Sequence, residues 1–252
     1  MEHKLKKFLF LSVSIFLIAF IYAQNMTSIS VDSIIENNEE FDANLNSNNK
    51  KVIYLTFDDG PSYKVTNKIL DILKEKEVKA TFFVIGNQIE DREDTLKRIN
   101  NEGHSIGLHT FSHKYNCVYC SEDIFIKEMV DCRNEINRVT GTSPNIIRFP
   151  GGSYKHLNKK YLKRLHDNDF KIYDWNADST DGLNPKLAPS KIYRKATKGS
   201  EDLQTINLLM HCTDMHKNTC EALPKIIDYY KEQGYEFKTI EEDTPEMYFR
   251  VS

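Results

Sequence analysis

An excess of charge of one sign is missing from this 252-residue chain. Its 34 Lys and Arg nearly balance its 37 Asp and Glu, leaving a formal net charge of −3. That near-balance gives no electrostatic footprint for nucleic acid. Glycine (10) and proline (7) are scarce, and 40% of the residues are hydrophobic. The composition therefore excludes a collagen-like or wholly disordered chain. No internal repeat and no second domain are visible. The length suits one domain that buries a sizeable core without depending on disulfides or structural metal. Long apolar runs are also lacking, except one at the N-terminus.

There, Lys4, Lys6 and Lys7 precede an uncharged, mostly apolar run over residues 8–23, the charge and apolar order of an export signal. As a helix this run reaches ~24 Å, short of the ~30 Å hydrocarbon core. Ala23, with Ile21 two residues earlier, matches a small-residue cleavage site imperfectly. A cleaved signal peptide and an uncleaved signal anchor are both compatible with residues 1–23. No cysteine lies nearby, which argues against a lipoprotein anchor. Residues 24–50 are rich in Asn and acids and read as a flexible spacer, with room for a short strand at 28–31. The expectation is an exported protein, anchored or secreted, acting at the outer face of the membrane or in the wall.

From Lys51 onward, apolar strands alternate with helices. The strands are VIYLTF, ATFFVI, SIGLH, IIRF, FKIYDW, INLLMH and YEFKTI. Phe125, Met129, Cys132, Ile136 and Val139 step by 4, 3, 4 and 3, one face of a helix. Other helices are expected near 63–76, 91–102, around Tyr161 and Leu165, after a cap at Ser190, and up to Gly234. Continuous apolar strands separated by helices predict a parallel sheet covered on both faces. The fold class is α/β: a distorted, closed or incomplete (β/α)7 barrel forming a single catalytic domain over residues 51–243, with a C-terminal tail at 244–252.

The unusual polar residues fall at the C-terminal ends of these strands, where parallel α/β barrels build active sites. Asp58 and Asp59 end the first strand, His109 and His113 the third, Arg148 the fourth, Asp174, Trp175 and Asp178 the fifth, and His211 the sixth. Two histidines four apart suit a tetrahedral metal if the backbone makes a helical turn. Alone, such a pair is more often two surface or capping residues, and D-G and G-P alone are turn signals. Together they read differently. Adjacent strand residues point to opposite sides, so one aspartate can join the histidines while the other stays free as a base. An ion held by three side chains keeps a position for water, lowers its pKa to near ~7 and polarises a carbonyl. His211 is then the acid available to a leaving group.

TFDDGPS at 56–62, HTFSH at 109–113, RFPGG at 148–152, DWNAD at 174–178 and LLMH at 208–211 follow the motif order of the NodB-homology polysaccharide deacetylases, which this chain resembles over about residues 51–240. The resemblance implies a distorted seven-stranded barrel and hydrolysis of N-acetyl groups on amino-sugar polymers. It implies Asp58 as base, Asp59, His109 and His113 as ligands of one divalent metal (zinc first; cobalt, nickel or manganese as alternatives), and Arg148 as the partner of Asp58. It further implies an oxyanion donor at the Gly151 N–H, His211 as acid, Asp178 as the carboxylate that tunes His211, and Trp175 and Leu209 as walls of the acetyl pocket. An exported enzyme of this kind is expected to act on N-acetylglucosamine of peptidoglycan, as a monomer. Chitin oligomers, poly-N-acetylglucosamine, N-acetylmuramic acid and acetylxylan are the alternative substrates. A non-catalytic wall-binding module would have lost a motif residue, and none is lost. Gly151 stands where some relatives carry an aromatic, which predicts a more open groove there.

Cysteines number five. Cys132 lies on the apolar helical face and reads as a buried thiol. Cys117, Cys120, Cys212 and Cys220 are expected on loops of the active-site face. In an exported chain they read as disulfides, with the pairing open.

Overall fold

The computed structural model describes residues 50–250, all but the first of them within the unit Lys51–Ser252. The leader, spacer and short strand expected over residues 1–49 lie outside the described residues. The described part begins with β1 (Val52–Gly60), α1 (Val65–Glu75), β2 (Thr81–Val84), α2 (Glu93–Asn101), β3 (Ser105–Leu108), the one-turn α3 (Tyr115–Val118) and the long α4 (Glu122–Thr140). It continues through β4 (Ile146–Ile147), α5 (Lys159–Asp167), β5 (Lys171–Ile172), β6 (Ala177–Asp178), α6 (Pro189–Thr197), β7 (Thr205–His211), α7 (Lys217–Glu232) and β8 (Glu236–Lys238). Among these, no helix is long and apolar enough to cross a membrane.

All strands pair in parallel, in the order β5-β4-β3-β2-β1-β7-β6. β8 lies off this path, on the first residues of β1. The sheet is a curled half-barrel with helices packed outside. All four β2 residues are buried, as expected of a strand covered on both faces. The helical face read from the sequence is present in α4, where Phe125, Met129, Cys132 and Ile136 are buried. Burying each such side chain stabilises by about 1.5–3 kcal/mol. The helix starts where Ser121 Oγ accepts the Ile124 N–H and stops at Gly141, whose φ of +75° suits glycine.

The run FKIYDW does not form one strand. Lys171–Ile172 pair with β4 at one edge of the sheet, and Ala177–Asp178 pair with β7 at the other. Residues 173–176 cross the gap between the two edges. There side chains replace the backbone ladder. Arg148 Nε donates to the Tyr173 carbonyl at 2.7 Å, and Asn207 Nδ2 donates to the Asp174 carbonyl at 2.6 Å. Those bonds recruit a buried arginine and asparagine, which apolar periodicity does not register.

Other differences are local. Ser190 does not cap α6: Ala188 holds the N-cap position, with Pro189 at the first helical position, where its missing N–H costs nothing. Residues set apart as a C-terminal tail are bonded to the domain. Met247 pairs with Tyr173, and the Phe249 N–H donates to Asp174 Oδ2 at 2.8 Å. The disulfides expected among Cys117, Cys120, Cys212 and Cys220 are absent, and all five cysteines are free. Cys220 lies inside α7 rather than on a loop. The buried Cys212 thiol donates to the Asp58 carbonyl at 3.3 Å, as a packed core group.

Candidate active site

The expected site residues converge at the C-terminal ends of the strands. A cleft of about 420 Å³ is lined by Asp58, Asp59, His109, His113, Gly151, Trp175, Asp178, Leu209 and His211 among others. Arg148 lies behind it, fully buried.

Strand alternation would send Asp58 and Asp59 to opposite faces, yet both line the cleft. The β1–β2 register shifts between Asp58 and Gly60, and Asp59 sits at φ +67°. Asp59 is thus the extra residue of a bulge, a device that re-aims a side chain beside a site. Thr110, His113 and Thr180 also have positive φ, +67°, +54° and +60°. For a β-branched residue such as Thr110 this is a strained conformation. The Thr110 hydroxyl accepts the His113 N–H at 3.0 Å, which holds the turn.

Asp59 Oδ1 is buried and has no hydrogen-bond partner. It stands 3.5 Å from His109 Nε2 and 3.3 Å from His113 Nε2. Donor atoms around a tetrahedral ion with bonds of about 2.0–2.1 Å are separated by roughly 3.3–3.4 Å, so both Asp59 separations suit a single divalent cation, and the three ligand atoms all lie within 4.8 Å of one another. His109 Nδ1 donates to the Arg148 carbonyl at 2.9 Å, which fixes the tautomer and leaves Nε2 free to ligate. Burial, and then the neighbouring His109, lower the His113 pKa and favour its neutral, ligating form.

Asp58 is 3% exposed and receives Arg148 Nη1 at 2.9 Å. All five Arg148 N–H groups are used. The others reach Thr56 Oγ1, the carbonyls of Tyr173 and Asp174, and Asn207 Oδ1. A buried charge pair so saturated is a fixed element, because stripping one partner from such a pair typically costs about 3–5 kcal/mol.

The carboxylate that holds His211 is Asp181, not Asp178. Asp181 Oδ1 accepts from His211 Nδ1 at 2.8 Å. Asp181 Oδ2 accepts the His211 N–H at 3.0 Å and the Thr219 hydroxyl at 2.7 Å. Asp178 instead accepts the Thr180 N–H, which turns the chain back toward His211. Burial alone would lower the imidazole pKa, but the Asp181 hydrogen bond and charge, with Asp58 and Asp59, raise it to about 9. The protonated form therefore persists through neutral pH and is lost as pH rises through about 9. An NMR titration of His211 in Asp181→Asn should give a pKa at or below the ordinary ~6.5, because burial is then poorly opposed. An unchanged value would dissociate Asp181 from the titration.

Gly151 forms a turn with its neighbours. The Gly152 N–H bonds the Phe149 carbonyl at 2.8 Å, and Gly151 has φ +73°. Proline followed by such a glycine is a type II turn. The groove is not more open there, as Gly151 had suggested: a Cβ on Gly151 would lie 2.6 Å from the Tyr115 hydroxyl. Trp175 stands edge-on to Phe249, and the 5%-exposed Leu209 lines the cleft near it. Asp181 and Tyr115 were missed by sequence reasoning. The spacing of Asp178, Asp181 and Gly182 carried a signal for the first, since a second acid follows three residues on.

Residues 45–170 match the family model described as polysaccharide deacetylase. A peptidoglycan-N-acetylglucosamine deacetylase of Bacillus cereus is 35% identical over 83% of this chain and 77% of its own. The peptidoglycan-N-acetylmuramic acid deacetylase PdaA of Bacillus subtilis is 32% identical over 84% of this chain and 78% of its own. The crystal structure of the polysaccharide deacetylase Bc1974 from Bacillus cereus superposes with a TM-score of 0.70 at 34% identity, over 80% of this chain and 96% of that one.

Proposed function

Because the chain belongs to the polysaccharide deacetylase family and is an enzyme of that class, we propose that it removes the N-acetyl group from N-acetylglucosamine units of peptidoglycan, using one divalent metal, zinc in the first instance. The observation that carries this reading is the convergence of a buried Asp58–Arg148 pair, the Asp59–His109–His113 triad and the Asp181-held His211 on one cleft. Asp59, His109 and His113 would hold the metal, whose chemistry when bound is to polarise the amide carbonyl and acidify water. Asp58 is the base that takes the proton of the attacking water, and Arg148 holds it aimed. The Gly151 N–H donates to the oxygen on which charge develops. His211 gives its proton to the departing amine, so acetate and a free amino sugar leave. Trp175 and Leu209 wall the space for the acetyl methyl.

The first-named B. cereus relative acts on N-acetylglucosamine and PdaA on N-acetylmuramic acid, so the relatives supply two sugars. An aspartate at position 59, beside two histidines, favours the metal-liganded chemistry and the first sugar. Mass spectrometry of muropeptides from cells with and without the protein tests this. Loss of acetyl from glucosamine residues is expected. Loss confined to muramic acid, or no change in the wall, would sink the reading and turn attention to chitin oligomers, poly-N-acetylglucosamine and acetylxylan. We place the action outside the membrane, by release or by a tether formed from residues 1–23. Deleting residues 1–50 should leave deacetylation of soluble substrate within about twofold, since the described domain starts at β1, and should abolish wall modification in living cells.

A further inference from the structure

We propose that Tyr115 is a catalytic residue, its hydroxyl acting as a second hydrogen-bond donor to the acyl oxygen beside the Gly151 N–H. The proposal rests on the deacetylase reading above and adds a residue that none of the five motifs contains. Tyr115 opens the one-turn helix α3 and lines the cleft together with Asp59, His113 and Gly151. Its ring stands edge-on to His113, with centroids 5.6 Å apart. The residue is half exposed toward the cleft, and its hydroxyl makes no hydrogen bond among the described residues.

Two features place that hydroxyl at the acyl oxygen rather than at a distant sugar. First, it comes within 2.6 Å of where a Cβ on Gly151 would stand, so it occupies the space that glycine leaves open. Second, the neighbouring Tyr119 fixes the Pro150–Gly151 peptide by donating to the Pro150 carbonyl at 2.7 Å. In a trans peptide the N–H points opposite its carbonyl, so the Gly151 N–H is turned away from Tyr119. Gly151 has no backbone partner for that N–H in the turn and lines the cleft. The two tyrosines, four residues apart with rings 5.8 Å apart, thus divide the work. Tyr119 orients one donor and Tyr115 supplies the other.

The test compares wild type with Tyr115→Phe, both zinc-loaded, on an N-acetylglucosamine oligomer. Phenylalanine keeps the ring, so a stacking role survives while a donor is lost. We expect kcat to fall about 10²-fold, as for loss of one oxyanion donor, with KM changed less than about threefold. Gly151→Ala should cost wild type a comparable factor, because its Cβ displaces the hydroxyl. In the Tyr115→Phe background the same change should cost much less. A kcat within twofold of wild type, or a raised KM with unchanged kcat, would overturn the assignment and leave Tyr115 as a surface for the sugar. Acetate binding to the zinc-loaded proteins, read by calorimetry, gives an answer without turnover. Affinity about tenfold weaker in Tyr115→Phe supports the donor, and equal affinity overturns it. A wild type that releases no acetate from any N-acetylated glycan fails the deacetylase reading, while the calorimetry still decides Tyr115.

Discussion

Asp58→Asn is expected to lower turnover by about 10²–10⁴-fold while the protein still takes up one divalent ion per chain. The separation follows from the geometry. Asp58 Oδ1 is committed to Arg148 at 2.9 Å, and Asp58 Oδ2 lies 3.7 Å from His109 Nε2, farther than either Asp59 distance. Asparagine keeps the volume and can still accept from Arg148, but it cannot accept a proton at neutral pH. The measurement pairs acetate release with metal content of the purified variant. If metal is lost together with activity, both aspartates are ligands and the division of labour between them is wrong.

The converse is expected of the triad. His113→Ala should lose both metal and turnover, because Asp59 Oδ1 and His109 Nε2 alone offer two donors where the fold otherwise offers three. Loss should be near complete for turnover, and adding excess zinc should restore little, since His113 sits on a strained turn whose purpose is to aim its ring. Full activity surviving exhaustive chelation, with no metal found in the protein, would refute the metal assignment outright.

The strand ends were the most legible part of the sequence. Buried strands announce themselves by apolar runs, and a reactive residue at the end of such a run stands out. Asp59, His109, His113, Arg148 and His211 were all readable in this way, and all meet at one cleft or directly behind it. Where the reading went astray, backbone geometry intervened. The alternation rule failed at Asp59 because a bulge inserts one residue. The resemblance of DWNAD at 174–178 implied Asp178 as the partner of His211, and Asp181 lies beyond that motif. The chain in fact breaks after Ile172 and folds back at Thr180, bringing the later acid onto His211. The cysteines were misread as pairs because spacing and compartment say nothing of depth. Cys212 and Cys220 are packed in the core, whereas Cys117 on α3 and Cys120 just after it are exposed. Tyr115 had no motif to mark it, since its position is set by a glycine that is distant in sequence.

Where β5 and β6 part, Arg148 is the clasp as well as the electrostatic partner of Asp58. One side chain therefore serves both the aim of Asp58 and the closure, and the two cannot be adjusted independently. Anyone trimming Arg148 to free Asp58 should expect a looser wall: faster amide exchange along Ile147 and Ile172, a lower melting point, and a cleft whose Trp175 side no longer keeps its distance from the histidines. Tuning of this enzyme is better sought at Tyr115, which holds no seam together.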